Sequence, residues 1–97
     1  MELLQLRYFH EVAQTQHITN SAKRLGVAQP ALTQAIRRLE GELDAKLFER
    51  AGRNIRLTPC GEALEAKVAP LLAAFDEIPL AIAQAKGQER DTVRIDV

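Results

Sequence analysis

The sequence is poor in the residues that carry most covalent and metal chemistry. It holds one cysteine, two histidines, no tryptophan and no net charge among 97 residues. Cys60 has no partner for an internal disulfide, which points to a reducing compartment, the cytoplasm. His10 and His17 stand seven residues apart with no cysteine cluster nearby, so surface or packing roles are favoured and no metal site is expected. No nucleophile–base pair of recognisable spacing and no glycine-rich phosphate loop occur, which argues against an enzyme and assigns no catalytic residue or cofactor to this fragment. No apolar run approaches the roughly twenty residues of a membrane span, and the acidic second residue of MELLQLRYFHE argues against a signal peptide. With three Phe and one Tyr, the core must be built from Leu, Ile, Val and Ala. An apolar content of 46% suffices for one modest domain plus an appendage.

What is present is organised around Thr19 to Leu43. Thr19 is expected to cap a first helix, Gly26 to close it, and Pro30 to stand in the first turn of a second. In that second helix Leu32, Ile36, Leu39 and Leu43 recur at steps of four, three and four, one buried stripe. Gln29, Pro30, Thr33, Gln34 and Arg37 fall on another face. Their amides, hydroxyl and guanidinium are groups that read base edges in a DNA major groove. Helix, glycine turn and second helix make a helix-turn-helix, at about residues 18–37. Upstream, Leu3 to Gln14 reads as a helix with Leu6, Phe9, Val12 and Ala13 on its inner face. It completes a three-helix core joined by Ile18, Ala22, Leu25 and Val27.

The zero net charge conceals an asymmetry. Residues 1–58 hold nine Lys/Arg against six Asp/Glu, and residues 59–97 hold four against seven. Because salt screens exposed charges beyond about 10 Å, the local excess is what a nucleic acid would meet; an ordinary solvated surface fits the charge equally well.

FERAGRNIRLT reads as a hairpin with arms Phe48 to Arg50 and Ile55 to Leu57 around a turn from Ala51 to Asn54. Arg50, Arg53 and Arg56 crowd it. After a helix-turn-helix, a basic hairpin is a wing whose arginines reach phosphates or a minor groove; taken alone it is an ordinary arginine-bearing hairpin. Thr58 and Pro59 open a long helix ending near Lys86, with Gly87 as terminator. Leu64, Val68, Leu71, Phe75, Ile78 and Ile82 form a heptad seam along it. A second copy of the chain is the expected cover, and folding back onto the head is the alternative. Pro70 and Pro79 should kink the helix or break it. Val93, Ile95 and Val97 alternate with polar residues like a strand without a partner, so 88–97 reads as the start of a further domain. Two other readings carry distinguishing features. A protein-contact adaptor would more often show an apolar face over 29–37. A redox sensor would use Cys60 at a helix start, but an inert packed thiol is favoured because no resolving cysteine exists.

The run SAKRLGVAQPALTQAIRRLEGELDAKLFERAGRNIRLTPCG resembles the N-terminal winged helix-turn-helix of LysR-type bacterial transcriptional regulators. LRYFHEVAQ resembles that family's first helix, the long helix its linker helix, and DTVRIDV the opening strand of its effector-binding domain. The resemblance implies a mainly α fold. It comprises a three-helix winged helix-turn-helix with a small β-hairpin over 1–58, then a dimerisation helix over 59–87. It implies sequence-specific binding to double-stranded DNA, a homodimer through the linker helix, tetramers in full-length members, and a small-molecule effector for the missing domain, with no membrane. It also implies base-reading roles for Gln29, Pro30, Thr33 and Gln34, and phosphate or wing roles for Thr19, Ser21, Arg50 and Arg53. Three residues depart from the family pattern. Ala28 replaces a frequent serine, Asp44 a common glycine, and Lys23 a frequent small residue, where it adds a phosphate contact.

Overall fold

The computed structural model describes residues 1–92, with side chains described through residue 88. Five helices and one hairpin follow in order: α1 (Leu3–Thr15), α2 (Ile18–Leu25), α3 (Gln29–Leu43), β1 (Phe48–Ala51), β2 (Asn54–Leu57), α4 (Pro59–Asp76) and α5 (Ile78–Thr92). The architecture is mainly helical, a three-helix head with an antiparallel hairpin, followed by a long helical arm.

The head forms because three amphipathic stripes meet. Leu6, Phe9, Val12 and Ala13 of α1 are buried, as their spacing predicts. Ala22 of α2 and Leu32, Ile36 and Leu39 of α3 close on them, while Ile18, Leu25 and Val27 pack partly buried at the edge. Leu43 departs from its expected place. It is the last residue of α3 and is 39% exposed, because Asp44 turns the chain out of the helix in the left-handed region. Leu47 takes the vacant place, 1% exposed. Phe9 meets Phe48 with ring centroids 5.4 Å apart, joining the hairpin to the core.

Helix ends follow local chemistry with two departures. Gly26 closes α2 at φ 71°, as expected. The cap of α2, however, is His17 rather than Thr19: His17 Nδ1 accepts the Asn20 N–H at 3.1 Å, and Thr19 stands inside the first turn. Ala28 caps α3 without a side-chain hydrogen bond. Ala28→Ser should therefore stabilise the head by about 1 kcal/mol, which raises Tm by several degrees in a domain of this size. Differential scanning calorimetry checks this, and an unchanged or lower Tm contradicts it.

The hairpin pairs Phe48 with Leu57, Glu49 with Arg56, Arg50 with Ile55 and Ala51 with Asn54, so each arm is one residue longer than expected. Its two-residue turn uses Gly52 at φ 65°; Asn54 does not take a positive φ. Arg56 is paired with Glu49 across the strands at 2.8 Å.

The arm corrects the expected seam. Val68 and Leu72 are buried and Leu64 partly so, all three against the head. These three recur at steps of four and face α1, so the head covers two residues of the expected seam, Leu64 and Val68, together with Leu72, which the seam did not include. Leu71, Phe75, Ile78 and Ile82 remain about half exposed. Polar contacts fix the same face. His10 Nδ1 lies 2.6 Å from Glu65 Oε2, and Gln14 Nε2 donates to that oxygen at 3.2 Å. Arg7 pairs with Asp76 at 2.5 Å and lies over the Phe75 ring. The hydrogen bond from Arg7 holds the Asp76 carboxyl below its usual range, against a smaller opposing effect of desolvation.

Pro70 sits inside α4 without ending it. The interruption falls at Glu77, two residues before Pro79, so this proline occupies the first turn of α5, where a missing N–H leaves no helical bond unmade. Ala81 N still donates to Glu77 O at 2.9 Å across the joint. Gly87 does not terminate the arm; α5 runs through it to Thr92. Asp91 and Thr92 of the expected strand are therefore helical, and Val93 to Val97 lie outside the described residues. By length and composition only, the helical stretch Pro59–Gln88 would suffice to cross a membrane, although Lys67, Asp76, Glu77 and Lys86 interrupt it. Only 11% of that apolar window is buried, so the arm presents an apolar surface to whatever covers it.

Candidate nucleic-acid interface

The outward face of α3 follows from its inward one. With Leu32, Ile36 and Leu39 turned into the core, the 100° step between helical residues places Gln29, Pro30, Thr33, Gln34 and Arg37 opposite. These five line one shallow surface depression. Thr33 is half-buried and the other four are exposed. Thr19 Oγ1 donates to Gln29 Oε1 at 3.1 Å, which ties α2 to the first turn of α3 and holds the Gln29 amide. A carbonyl oxygen has a second lone pair and the amide nitrogen two N–H donors, so Gln29 keeps acceptor and donor capacity outward.

A second recess lies between the start of α2, the start of α3 and the hairpin. His17, Thr19, Gln29, Arg50, Arg53 and Asn54 line it, with Ile18 and Ile55 as its apolar floor. The hairpin is held at this distance by backbone bonds: Ile55 N donates to Gln16 O at 3.3 Å, and Thr58 N to Leu47 O at 3.0 Å. Glu40 Oε2 accepts the Leu47 N–H at 2.8 Å, locking the loop that joins α3 to β1.

The distribution of ion pairs sorts the basic residues. Arg7, Arg24 and Arg56 are each paired with a carboxylate. Among the described residues, Arg37, Arg50, Arg53 and Lys23 have none. The guanidiniums without an ion pair among the described residues therefore lie along α3 and the hairpin, although the whole chain is neutral.

Most of the expected site residues are thus brought to one side of the head. Gln29, Pro30, Thr33, Gln34 and Arg37 lie together, and Thr19, Arg50 and Arg53 beside them. Lys23 is exposed in the last turn of α2 and does not line the recess. Ser21 is corrected: it is 0% exposed, with its hydroxyl 2.5 Å from Thr15 Oγ1 and donating to Glu11 O at 3.3 Å. A hydroxyl committed inside the core cannot touch a phosphate. Its role is to fix the turn between α1 and α2. Cys60 is exposed, not packed. Sequence reasoning overlooked His17 and Asn54 in the recess. A polar residue directly before ITNSAKRL is a signal that could have shown His17 as the cap.

Comparison with known proteins adds an independent line. The model of the bacterial regulatory helix-turn-helix proteins of the lysR family matches residues 3–62. The HTH-type transcriptional regulator BudR of Klebsiella aerogenes is 44% identical over 90 residues, covering 93% of this chain and 61% of BudR. The transcriptional dual regulator GltC of Bacillus subtilis is 45% identical over 95 residues, covering 98% of this chain and 32% of GltC. The chain thus spans only part of the length of these curated relatives. Among solved structures, the BenM DNA-binding domain in complex with benA site 1 DNA superposes with a TM-score of 0.82 at 36% identity, covering 88% of this chain and 99% of that one. The CbnR DNA-binding domain–DNA complex gives 0.71 at 33%, covering 97% and 100%.

Proposed function

Because the chain belongs to the lysR family of bacterial regulatory helix-turn-helix proteins, we propose that it is the sequence-specific DNA-binding part of a cytoplasmic transcriptional regulator. The observation that carries this reading is the outward face of α3, where Gln29, Pro30, Thr33, Gln34 and Arg37 share one surface beside hairpin arginines without counter-charges. In the major groove, the Gln29 and Gln34 amides bind adenine through N6 and N7, Arg37 binds guanine, and Pro30 and the Thr33 methyl meet thymine methyl groups. Lys23, Arg50 and Arg53 hold phosphates and fix the register of α3, while Thr19 commits its hydroxyl proton to the Gln29 amide. The arm pairs with that of a second copy, placing two heads on two half-sites. The remainder of the regulator, beyond this chain, binds a small-molecule effector, and full-length chains assemble as dimers or tetramers. The matched relatives are regulators rather than enzymes, and no catalytic role is assigned.

The test separates reading from positioning. Gln34→Ala should relax preference at one base pair per half-site, at about 1–3 kcal/mol. Arg53→Ala should weaken binding to all sequences by similar factors and flatten the salt dependence by about 0.9 per lost phosphate contact. Titrations of specific and scrambled duplexes at several salt concentrations measure both. If Arg53→Ala changes the preferred base, the hairpin reads sequence or groove shape, and its assignment as a positioning device is wrong.

A further inference from the structure

Among the described residues the cap of α2 leaves one nitrogen of His17 without a partner, and the ring that carries it lines the recess beside Arg50 and Arg53. We propose that His17 is a further DNA-binding residue, whose neutral imidazole donates its Nε2–H to a phosphodiester oxygen seated in that recess. This rests on the DNA-binding reading above.

The tautomer follows from the cap. Nδ1 accepts the Asn20 N–H at 3.1 Å, so it bears no proton, and the proton of the neutral ring is on Nε2. The residue is held from both sides. Its own N–H donates to Thr15 Oγ1 at 3.0 Å, and its carbonyl accepts the Ser21 N–H at 3.0 Å. Thr15 is in turn fixed by the buried Ser21. The donor is therefore positioned before any ligand arrives. The recess suits an anion: no Asp or Glu lines it, and its two guanidiniums have no ion pair among the described residues. Capping by itself does not call for an imidazole, since Ser, Asn or Asp cap better. A ring that caps with one nitrogen and presents the other as a donor uses both.

Two variants and one spectrum test this with the 97-residue chain at pH 8. His17→Ser keeps a cap acceptor and removes the second donor. It should hold Tm near that of the unmodified chain, lower affinity for selected and scrambled duplexes alike by roughly three- to tenfold, and leave the salt slope unchanged, because a neutral donor releases no counterion. Arg53→Ala, measured beside it, should lower that slope. ¹⁵N–¹H spectra of the histidine ring should show the Nε2–H tautomer in the free protein and a shift of that proton on adding DNA. They decide the matter even if His17→Ser unfolds. Unaltered affinity of a folded His17→Ser chain overturns the proposal, as does an Nδ1–H tautomer. A reduced salt slope overturns the neutral-donor assignment. If the unmodified chain binds neither duplex, the DNA reading itself fails, and this proposal with it.

Discussion

Gly61→Ala should destabilise the protein by about 3 kcal/mol or more, although alanine is favoured over glycine in a helix by about 1 kcal/mol. Gly61 lies buried in the first turn of α4. A Cβ there would stand 2.2 Å from Leu47 O and 2.8 Å from Leu57 Cδ2. The leucine side chain can yield, but the carbonyl cannot do so cheaply. Leu47 O accepts the Thr58 N–H at 3.0 Å, and Leu47 N donates to Glu40 at 2.8 Å, so moving it breaks bonds that hold the hairpin to α3. The alternative is for α4 to lift, which uncovers Val68 and Leu72. Either way Tm should fall by roughly 10 °C or more. Gly41→Ala is the control. Gly41 is also helical, and nothing lies within 4 Å of its added Cβ. That substitution should raise stability by up to about 1 kcal/mol. Thermal unfolding of both variants reads the sign directly. If the two shift Tm in the same direction, the close approach at Gly61 does not control the docking of α4.

Leu71→Asp should produce monomers whose affinity for a duplex with two half-sites falls by roughly 10²–10⁴-fold, the avidity lost when two heads no longer bind as one. Leu71 is 49% exposed, beside a face that the head has already covered. With Phe75, Ile78 and Ile82 it forms the apolar stripe left for the proposed second copy. Because Leu71 is not among the residues packed on the head, the head should keep its fold, and binding to a single half-site should change little. Sedimentation at low micromolar concentration, together with titrations on one and two half-sites, measures both effects. A dimer of unchanged stability would sink the assignment of this stripe.

Much of the head was legible because its determinants are local. Leu6, Phe9, Val12 and Ala13 needed only the helical period to be placed inward. The same period placed Gln29, Thr33 and Gln34 outward. Gly26 ends α2 because its left-handed φ excludes most side chains, and Gly52 turns the hairpin for the same reason. The misreadings arose where two acceptable local choices compete. Thr19 and His17 both supply a cap acceptor, and the register of α2 chose His17. Ser21 is polar, but the small residue at a helix crossing is pulled inside when a neighbouring hydroxyl and a carbonyl satisfy it.

The sequence by itself therefore determined the three helices of the head, the presence of the hairpin, the outward-facing set on α3 and the family. All of these are encoded in periodicity, turn residues and motif spacing within short windows. Only the tertiary structure decided which stripe of the arm the head covers. Leu64, Val68 and Leu72 and the seam Leu71, Phe75, Ile78 and Ile82 are both apolar at helical spacing, and the packing of α1, with His10 and Gln14 on Glu65, selects between them. Gly61 shows the same limit. Nothing in its neighbours' identities reveals that the Leu47 carbonyl, fourteen residues earlier, will lie where its side chain would begin. Contacts between segments far apart in sequence depend on how whole elements pack, and no local pattern records that distance.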